Sequence, residues 1–225
     1  MNNYKGFTLA EVLITLGIIG VVAAMTLPTI INNYQKQVTV NKLKKFYTVM
    51  TQAIKLEEAQ NGSLEYWMTD CPDKNACFEP WYNKHLDKHI KSVLKRKANG
   101  TSTSNYEVEF ADGSGFNAYA IRGTVHFFYC TEFAYCGNEK YDGRRTFLFS
   151  ICKVNDNYKF VTSNCTAQTK TREELLDSCL KGNFDNADIF SQGRRHYCTR
   201  LIEYDGWEMK DDYPWIQAKQ PEKED

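Results

Sequence analysis

The chain has 225 residues with 28 basic (Lys and Arg) and 28 acidic (Asp and Glu) side chains. This balance argues against a dedicated nucleic-acid binder, because such proteins carry a marked basic excess. Aromatic residues form 14% and charged residues 25% of the chain, which excludes a wholly disordered protein. The length suits one ordinary domain, or one domain plus an anchor.

The first predicted element is the apolar stretch from Phe7 to Leu27, which follows a short leader over residues 1–6. About 21 residues at a rise of ~1.5 Å would extend roughly 31 Å, enough to cross the hydrocarbon layer of a bilayer. Three interpretations are open: a plain transmembrane anchor, a secretory signal peptide cut near Ala24, and a leader cut in front of the apolar stretch.

Glu11, inside the apolar stretch, favours the third interpretation. A carboxylate in a membrane segment costs a few kcal/mol unless it has a partner, and a discarded signal peptide has no use for one. A cut between Gly6 and Phe7 would create an amino group about 6 Å along the helix from Glu11. That amine, in the same subunit or in a neighbour, is a natural countercharge. Gly6 suits a cleavage site because a residue without a side chain lets a protease approach the backbone.

The run from Lys5 to Glu11, followed by Val12-Leu13-Ile14, resembles the type IV prepilin and pseudopilin signature. In that family a prepilin peptidase cuts after the glycine and methylates the new terminal residue. The resemblance therefore implies cleavage between Gly6 and Phe7, N-methylation of Phe7, and assembly through Glu11. Pro28 falls about where many of these pilins carry a kinking proline in the long first helix.

The same resemblance implies partners and a location. The partners would be prepilin peptidase, other pilin or pseudopilin subunits, and the bacterial inner membrane. The chain would cross that membrane once, with its globular domain periplasmic or extracellular in a filament. No resident cofactor is expected.

Beyond Pro28, apolar residues continue at helical spacing up to Ile54, and Gly62 is a suitable helix stop. The pattern predicts one long helix over residues 7–60, with residues 7–27 in the membrane and the second half amphipathic. The globular domain is predicted over residues 61–225, with a frayed polar tail over residues 217–225.

The globular part begins with a predicted helical piece over residues 81–97 and a loop over residues 99–104. Alternating residues on either side of the Asp112-Gly113 turn predict a β-hairpin. Further strands are predicted over residues 124–128, 145–151 and 158–162, and a capping box at Thr171 and Glu174 predicts a short helix. Together with the resemblance, this predicts an α+β fold: the long helix packed on an antiparallel sheet in a disulfide-stapled, pilin-like domain.

All eight cysteines lie beyond residue 70, which indicates that this part of the chain folds in an oxidising compartment. Sequence alone does not fix their pairing. Proximity in sequence suggests four disulfides, of which the last two rest on proximity only: Cys71–Cys77, Cys130–Cys136, Cys152–Cys165 and Cys179–Cys198. Zinc binding by these cysteines is not favoured, because no Cys-x2-Cys pair is present.

Two sets of residues are candidate metal ligands. His85 and His89 would place two imidazoles on one helix face, but no third ligand is evident, so an ordinary solvated helix is preferred. Major pseudopilins of type II secretion bind calcium through a C-terminal acidic loop, so the resemblance makes Asp205, Asp211 and Asp212 calcium candidates. A turn with solvated acids is preferred here too, because the spacing matches no calcium-loop pattern.

The sequence contains no catalytic signature such as Gly-x-Ser-x-Gly or a phosphate loop, so we do not expect an enzyme. The basic pairs Arg144-Arg145 and Arg194-Arg195 could contact DNA or a partner, although DNA binding has no other support. The segment from Tyr197 to Trp215 is similar to the C-terminus of cysteine-rich prepilin-like proteins. Where many of those proteins carry a Gly-Pro-Asn stretch, this chain has an insertion over residues 130–143.

Three functional hypotheses follow from these features. The favoured one is a structural subunit, a pilin or pseudopilin, of a type IV pilus or a type II secretion pseudopilus. The second is a minor tip subunit that binds DNA or a secreted substrate through the insertion. The third is a released soluble periplasmic protein or enzyme, which requires cleavage near Ala24. The sequence does not distinguish secretion from adhesion, motility or DNA uptake.

Overall fold

The computed structural model describes residues 8–71, 77–97, 106–121, 123–136, 142–181 and 196–215. The chain divides into two compact units, Met1–Val38 and Thr39–Asp225. The helices of the described residues are α1 (Leu9–Asn61), α2 (Leu64–Met68), α3 (Phe78–His85), α4 (Arg172–Lys181) and α5 (Tyr197–Tyr204). The strands are β1 (Leu94–Lys97), β2 (Tyr106–Glu109), β3 (Gly115–Ile121), β4 (Thr124–Cys130), β5 (Thr146–Val154) and β6 (Asn157–Thr162).

Helix α1 contains 53 residues and is continuous through Pro28, although a proline inside a helix removes one backbone hydrogen bond. The helix stops before Gly62, whose φ is +84°. Glycine adopts this left-handed conformation without the strain that a side chain would cause, and it is therefore a common helix stop. The helix therefore ends at Asn61, one residue beyond the predicted bound of 60.

The six described strands form one sheet in the order β1-β2-β3-β4-β5-β6, and each neighbouring pair is antiparallel. The turn between β5 and β6 consists of Asn155 and Asp156, which have φ values of 51° and 61°. Two consecutive residues with positive φ are typical of the tight turns whose twist matches that of paired strands. The predicted Asp112-Gly113 turn joins β2 to β3, with Gly113 at a φ of 73°.

The core of the second unit lies between this sheet, α3 and the part of α1 from residue 39 onward. Phe46 of α1 is its centre: the ring centroid lies 4.5 Å from that of Tyr129 and 4.9 Å from that of Phe149. Leu43 and Met50, also on α1, are fully buried. The predicted α+β architecture, with the amphipathic half of the long helix packed on an antiparallel sheet, is confirmed.

Two details of the predicted elements are wrong. The helical piece expected over residues 81–97 ends at His85 and is followed by a 3₁₀ turn over Asp87–His89. Residues 94–97 instead form β1, because their backbone pairs with β2 at the edge of the sheet. Helix α5 was not expected at all. The loop expected over residues 99–104 and the tail over residues 217–225 lie outside the described residues.

All eight cysteines lie in the described residues, and all are paired in disulfides within the second unit. The pairs are those that proximity in sequence suggests: Cys71–Cys77, Cys130–Cys136, Cys152–Cys165 and Cys179–Cys198. The third disulfide joins β5 to the 3₁₀ helix after β6, and the fourth joins α4 to α5. The third and fourth disulfides therefore fix the helices that follow the sheet.

Candidate assembly site

Thr8 is the first residue that the structure describes. The predicted cleavage site between Gly6 and Phe7, and the predicted N-methylation of Phe7, lie outside the described residues. Thr8 and Glu11 form a reciprocal hydrogen-bonded cap at the start of α1. The backbone N–H and the hydroxyl of Thr8 each donate to Oε2 of Glu11 at 2.8 Å, and the N–H of Glu11 donates to Oγ1 of Thr8 at 3.3 Å.

This arrangement is a capping box, in which a Thr at the helix start and a Glu three residues later satisfy each other's exposed N–H groups. Only a countercharge role was predicted for Glu11, although the Thr8-x-x-Glu11 spacing is the standard signature of a capping box. Both donors bind Oε2, so within the described residues Oε1 of Glu11 accepts no hydrogen bond. The carboxylate therefore has one oxygen left for a further donor.

The first unit of the chain exposes apolar side chains on all sides of α1. Fourteen large apolar side chains are exposed: Leu9, Val12, Leu13, Ile14, Leu16, Ile18, Ile19, Val21, Val22, Met25, Leu27, Ile30, Ile31 and Tyr34. A helix that is apolar all round is stable only inside a membrane or a bundle of helices. Among the described residues, α1 is the one helix long and apolar enough to cross a membrane.

In the second unit, the predicted histidine pair converges on Glu57, which was not among the predicted site residues. The side chain of Glu57, on α1, is 1% exposed. Its two carboxylate oxygens lie 3.0 Å from Nδ1 of His85 and 3.0 Å from Nε2 of His89, and Nζ of Lys88 lies 2.7 Å away. Nε2 of His85 also lies 3.2 Å from a carboxylate oxygen of Asp70.

Burial by itself would raise the pKa of the Glu57 carboxyl group. The hydrogen bonds from Lys88, His89 and His85 outweigh burial and lower this pKa to about 2. Glu57 is therefore ionised at neutral pH and ties the end of α1 to α3 and the following 3₁₀ turn. The described part of the chain contains no group of three or more His, Cys, Asp or Glu side chains that could hold a metal ion.

The calcium candidates lie beside an arginine of α4. The guanidinium of Arg172 donates to both oxygens of Asp205, at 2.7 and 2.8 Å, and to both oxygens of Asp212, at 2.8 and 2.9 Å. Lys210 adds an ion pair to Asp205 at 3.0 Å, and Asp211 is exposed. Two of the three candidate acids thus bind a guanidinium and join α4 to the loop after α5.

Arg172 lowers the pKa values of both acids that it binds, Asp205 and Asp212. Burial would raise the pKa of Asp205, but the bonds from Arg172 and Lys210 outweigh it and lower the pKa. The hydrogen bonds from Arg172 likewise lower the pKa of Asp212. Both acids are therefore ionised at neutral pH, and Arg172 compensates their charge.

The described members of the basic pairs contact aromatic rings of their own chain. The guanidinium of Arg144 lies 5.0 Å from the ring centroid of Trp215, and that of Arg145 lies 4.4 Å from the ring centroid of Tyr135. Arg194-Arg195 and residues 137–141 of the insertion lie outside the described residues. These contacts give Arg144 and Arg145 a packing role in the chain itself.

Comparison with known proteins gives two family matches. A model described as a family of unknown function, DUF6613, matches residues 29–216. A model of the prokaryotic N-terminal methylation motif matches residues 1–27, so the predicted type IV pilin-like signature is confirmed. Comparison with curated proteins and with solved structures found no match.

Proposed function

This chain belongs to DUF6613, a family of unknown function, and we propose that it is a structural subunit of a type IV pilus or a type II secretion pseudopilus. The methylation motif makes it a pilin-type or pseudopilin-type subunit, which implies processing by prepilin peptidase and assembly with other pilins. The observation that carries the proposal is the exposed apolar stretch of α1 from Leu9 to Tyr34, most of which lies within the region matched by that motif.

The apolar first unit suits a single-pass membrane-anchored subunit. In lipid, an apolar helix gains little from contact with another, because lipid tails are as apolar as leucine. Once a subunit leaves the lipid, each exposed Leu, Ile or Val would cost about 1.5–3 kcal/mol in water. Bundling with the same segment of other subunits removes that cost, so extraction from the membrane and assembly are coupled.

Glu11 gives this bundle its register under the proposal. The Thr8 cap leaves Oε1 of Glu11 open. This oxygen would accept a hydrogen bond from the amino group of Phe7 of an adjacent subunit, and the pairing would neutralise two charges in an apolar environment. Each subunit would then stop at one axial position relative to its neighbour.

The first experiment is the intact mass and the N-terminal residue of the mature protein purified from bacterial membranes. We expect a chain that starts with methylated Phe7 and is lighter by two hydrogens for each of its four disulfides. A start near Met25 would mean a discarded signal peptide and would overturn the filament proposal. An uncut chain would leave only a membrane anchor.

Glu11→Gln separates the two roles of Glu11, because glutamine also forms capping boxes but carries no charge. We expect this variant to be cleaved and inserted normally, while the amount of chain in sheared or pelleted filaments falls at least about tenfold. A lost charge pair inside an apolar bundle costs enough to account for a decrease of this size.

Thr8→Ala is the matched control, since it removes the hydroxyl bonds of the cap and keeps the charge. Losing a cap costs about 0.5–2 kcal/mol of helix stability, and a long helix held by lipid tolerates this loss. We expect filament yield in Thr8→Ala to stay within about twofold of wild type. If Glu11→Gln assembles normally while Thr8→Ala does not, Glu11 acts as a cap and the register role is wrong.

A further inference from the structure

A groove of about 390 Å³ runs along α1 in the second unit, on the side where the turn between β2 and β3 lies. Its floor is apolar or aromatic and consists of Phe46, Ala53, Phe110 and Tyr129. Leu56, which also lines the groove, is 53% exposed. An exposed apolar concavity of this kind marks a site that binds a ligand or another protein surface.

The rim of the groove is basic. Lys42, Lys45 and Lys91 line it, and the one carboxylate among the lining residues is Asp112. Asp112 forms an ion pair with Lys45 at 2.8 Å, while Lys42 donates to the carbonyl oxygen of Thr131 at 2.8 Å. The rim therefore carries a net positive charge beside an apolar floor, and its complement is a surface that combines apolar and acidic side chains.

Helix α4 of the same chain carries such a surface. Glu173, Asp177 and Leu180 are exposed, and Leu176 on the same face is partly buried and packs against the core of its own chain. Residues spaced by three and four along a helix share one face, so two acids and two leucines form one stripe. An amphipathic helix with this spacing is the form that inserts into apolar grooves of other proteins.

The groove and the stripe lie at different ends of the sheet. The groove adjoins the β2–β3 turn, whereas α4 packs on α5, which packs on β5 and β6. Because Glu173, Asp177 and Leu180 are exposed in their own chain, the acidic stripe does not occupy the groove of the same chain. A contact between two different surfaces of identical chains does not close on itself, and it extends into a filament unless its rotation forms a ring.

We propose that the groove binds the α4 stripe of a second copy of this chain, with Leu180 against the apolar floor and the two acids beside the rim lysines. This inference rests on the proposed function, because it assigns a head-to-tail contact between globular units of neighbouring subunits. The filament would then have a second contact between subunits besides that of the apolar segments. This second contact depends on charge, so its strength should fall as the ionic strength rises.

The test places a photo-crosslinking amino acid at Leu180 of the full chain in its native bacterium. After illumination of the filament fraction, we expect a cross-linked dimer whose joined peptide contains residues 42–56 or 110–112. Tyr66, which is 72% exposed and belongs to neither surface, is the control position. Cross-linking from Tyr66 to these peptides should be absent.

Charge reversal tests the rim. Lys91→Glu should lower the Leu180 cross-link about fivefold, a change of the size that exposed charge pairs produce, and adding Glu173→Lys to the same chain should restore it. Lys55→Glu is the matched control, because Lys55 is an exposed lysine of α1 that does not line the groove. It should leave the cross-link unchanged.

The outcomes separate this inference from the proposed function. If wild-type filaments form and Leu180 cross-links elsewhere in the chain, to a lipid or to a different protein, the groove contact is wrong and the filament function stands. If Leu180 cross-links to the groove in membranes that yield no filaments, the contact is supported and the filament proposal is wrong. An unchanged cross-link in Lys91→Glu would overturn the charge argument and the contact with it.

Discussion

The large apolar side chains in the two halves of α1 have opposite surroundings. Between Leu9 and Ile31 the large apolar side chains are exposed, whereas from Val40 to Ile54 those that face the sheet are buried. The side chains from Val40 to Ile54 pack within the chain, against the aromatic core around Phe46. The side chains between Leu9 and Ile31 are removed from water only by lipid or by other chains. One helix thus joins a segment whose stability comes from outside the molecule to a domain whose stability comes from inside it.

The distribution of covalent and polar contacts follows the same division. The second unit holds all four disulfides and the buried Glu57 cluster. The described polar contacts of the first unit include the Thr8–Glu11 cap and hydroxyl bonds to the helix's own carbonyls. Substitutions in the first unit should therefore change assembly without changing stability, and buried substitutions in the second should do the reverse.

The largest effect expected is that of Leu43→Ala compared with Leu16→Ala. Leu43 is 0% exposed and Leu16 is 60% exposed on the same helix. Removing a fully buried leucine leaves a cavity and should lower the free energy of unfolding of the globular domain by about 2–5 kcal/mol. Leu16→Ala should leave it unchanged within about 0.5 kcal/mol. Urea unfolding followed by tryptophan fluorescence, with the full chain in detergent, measures both.

Filament yield is the second readout for the same pair. Leu16→Ala should reduce the amount of chain in pelleted filaments, because one apolar contact per subunit is lost. If Leu16→Ala lowers the stability of the globular domain as much as Leu43→Ala does, the two halves of α1 are not energetically separate and the comparison fails.

The next effect concerns the disulfide between Cys179 and Cys198, which are 19 residues apart. Replacing both with alanine frees a loop of this length and should cost about 3 kcal/mol, whereas removing the Cys71–Cys77 pair, 6 residues apart, should cost about 2 kcal/mol. Urea midpoints of the two double variants measure the difference. Equal losses would mean that local strain or packing, and not loop closure, sets the contribution of these disulfides.

Acid should lower the free energy of unfolding of the second unit, because it protonates Glu57. Its pKa is about 2 in the folded chain against an ordinary value of 4.5, so the stabilisation is fully present above about pH 4.5 and is lost as the pH falls towards 2. At neutral pH, Glu57→Gln should lower the free energy of unfolding by on the order of 2–3 kcal/mol. The difference from wild type should nearly vanish at pH 2.

A control for this pH dependence is Glu65→Gln. Glu65 is 48% exposed and pairs with Lys153, and exposed pairs contribute little to stability. Its unfolding curve should therefore follow that of wild type at every pH. If the gap between Glu57→Gln and wild type stays constant from pH 7 to pH 2, the loss comes from packing and not from the charge of Glu57.

The sequence predicts well those features that local rules determine. The long helix and its stop at Gly62 follow from apolar periodicity and a glycine at a left-handed position. The turn at Asp112-Gly113 follows from turn-forming residues between alternating segments. For the candidate site, the methylation motif was recognisable because it is a short contiguous signature.

The features that sequence reasoning missed depend on partners far apart in the chain. Residues 94–97 read Leu-Lys-Arg-Lys and show no alternation, so only their pairing with β2 makes them a strand. Glu57 is separated from His85 by 28 residues. One signal was available, since Glu57 stands in the apolar stripe of α1 at helical spacing from Met50, Ala53 and Ile54. A lone acid at such a core position indicates a buried ion pair.

The smallest expected effect is that of Gly62→Ala, directly after α1, compared with Gly17→Ala within α1. Gly62→Ala should cost about 1 kcal/mol of domain stability, because a side chain at a φ of +84° is strained. The added Cβ would meet Tyr66 at an ordinary 3.6 Å, so the cost is conformational and not a clash.

Gly17→Ala is the counterpart of Gly62→Ala in the apolar segment. Within one chain the added Cβ meets no atom within 4 Å, and alanine is a better helix former than glycine by about 1 kcal/mol. The urea midpoint of the globular domain should therefore stay unchanged. Membrane helices that approach closely use small residues at their contact, so filament yield shows what lies beside Gly17 in the assembly. A lower yield would place Gly17 at a close contact between subunits, whereas an unchanged yield would place it on a side of the helix with room for a methyl group.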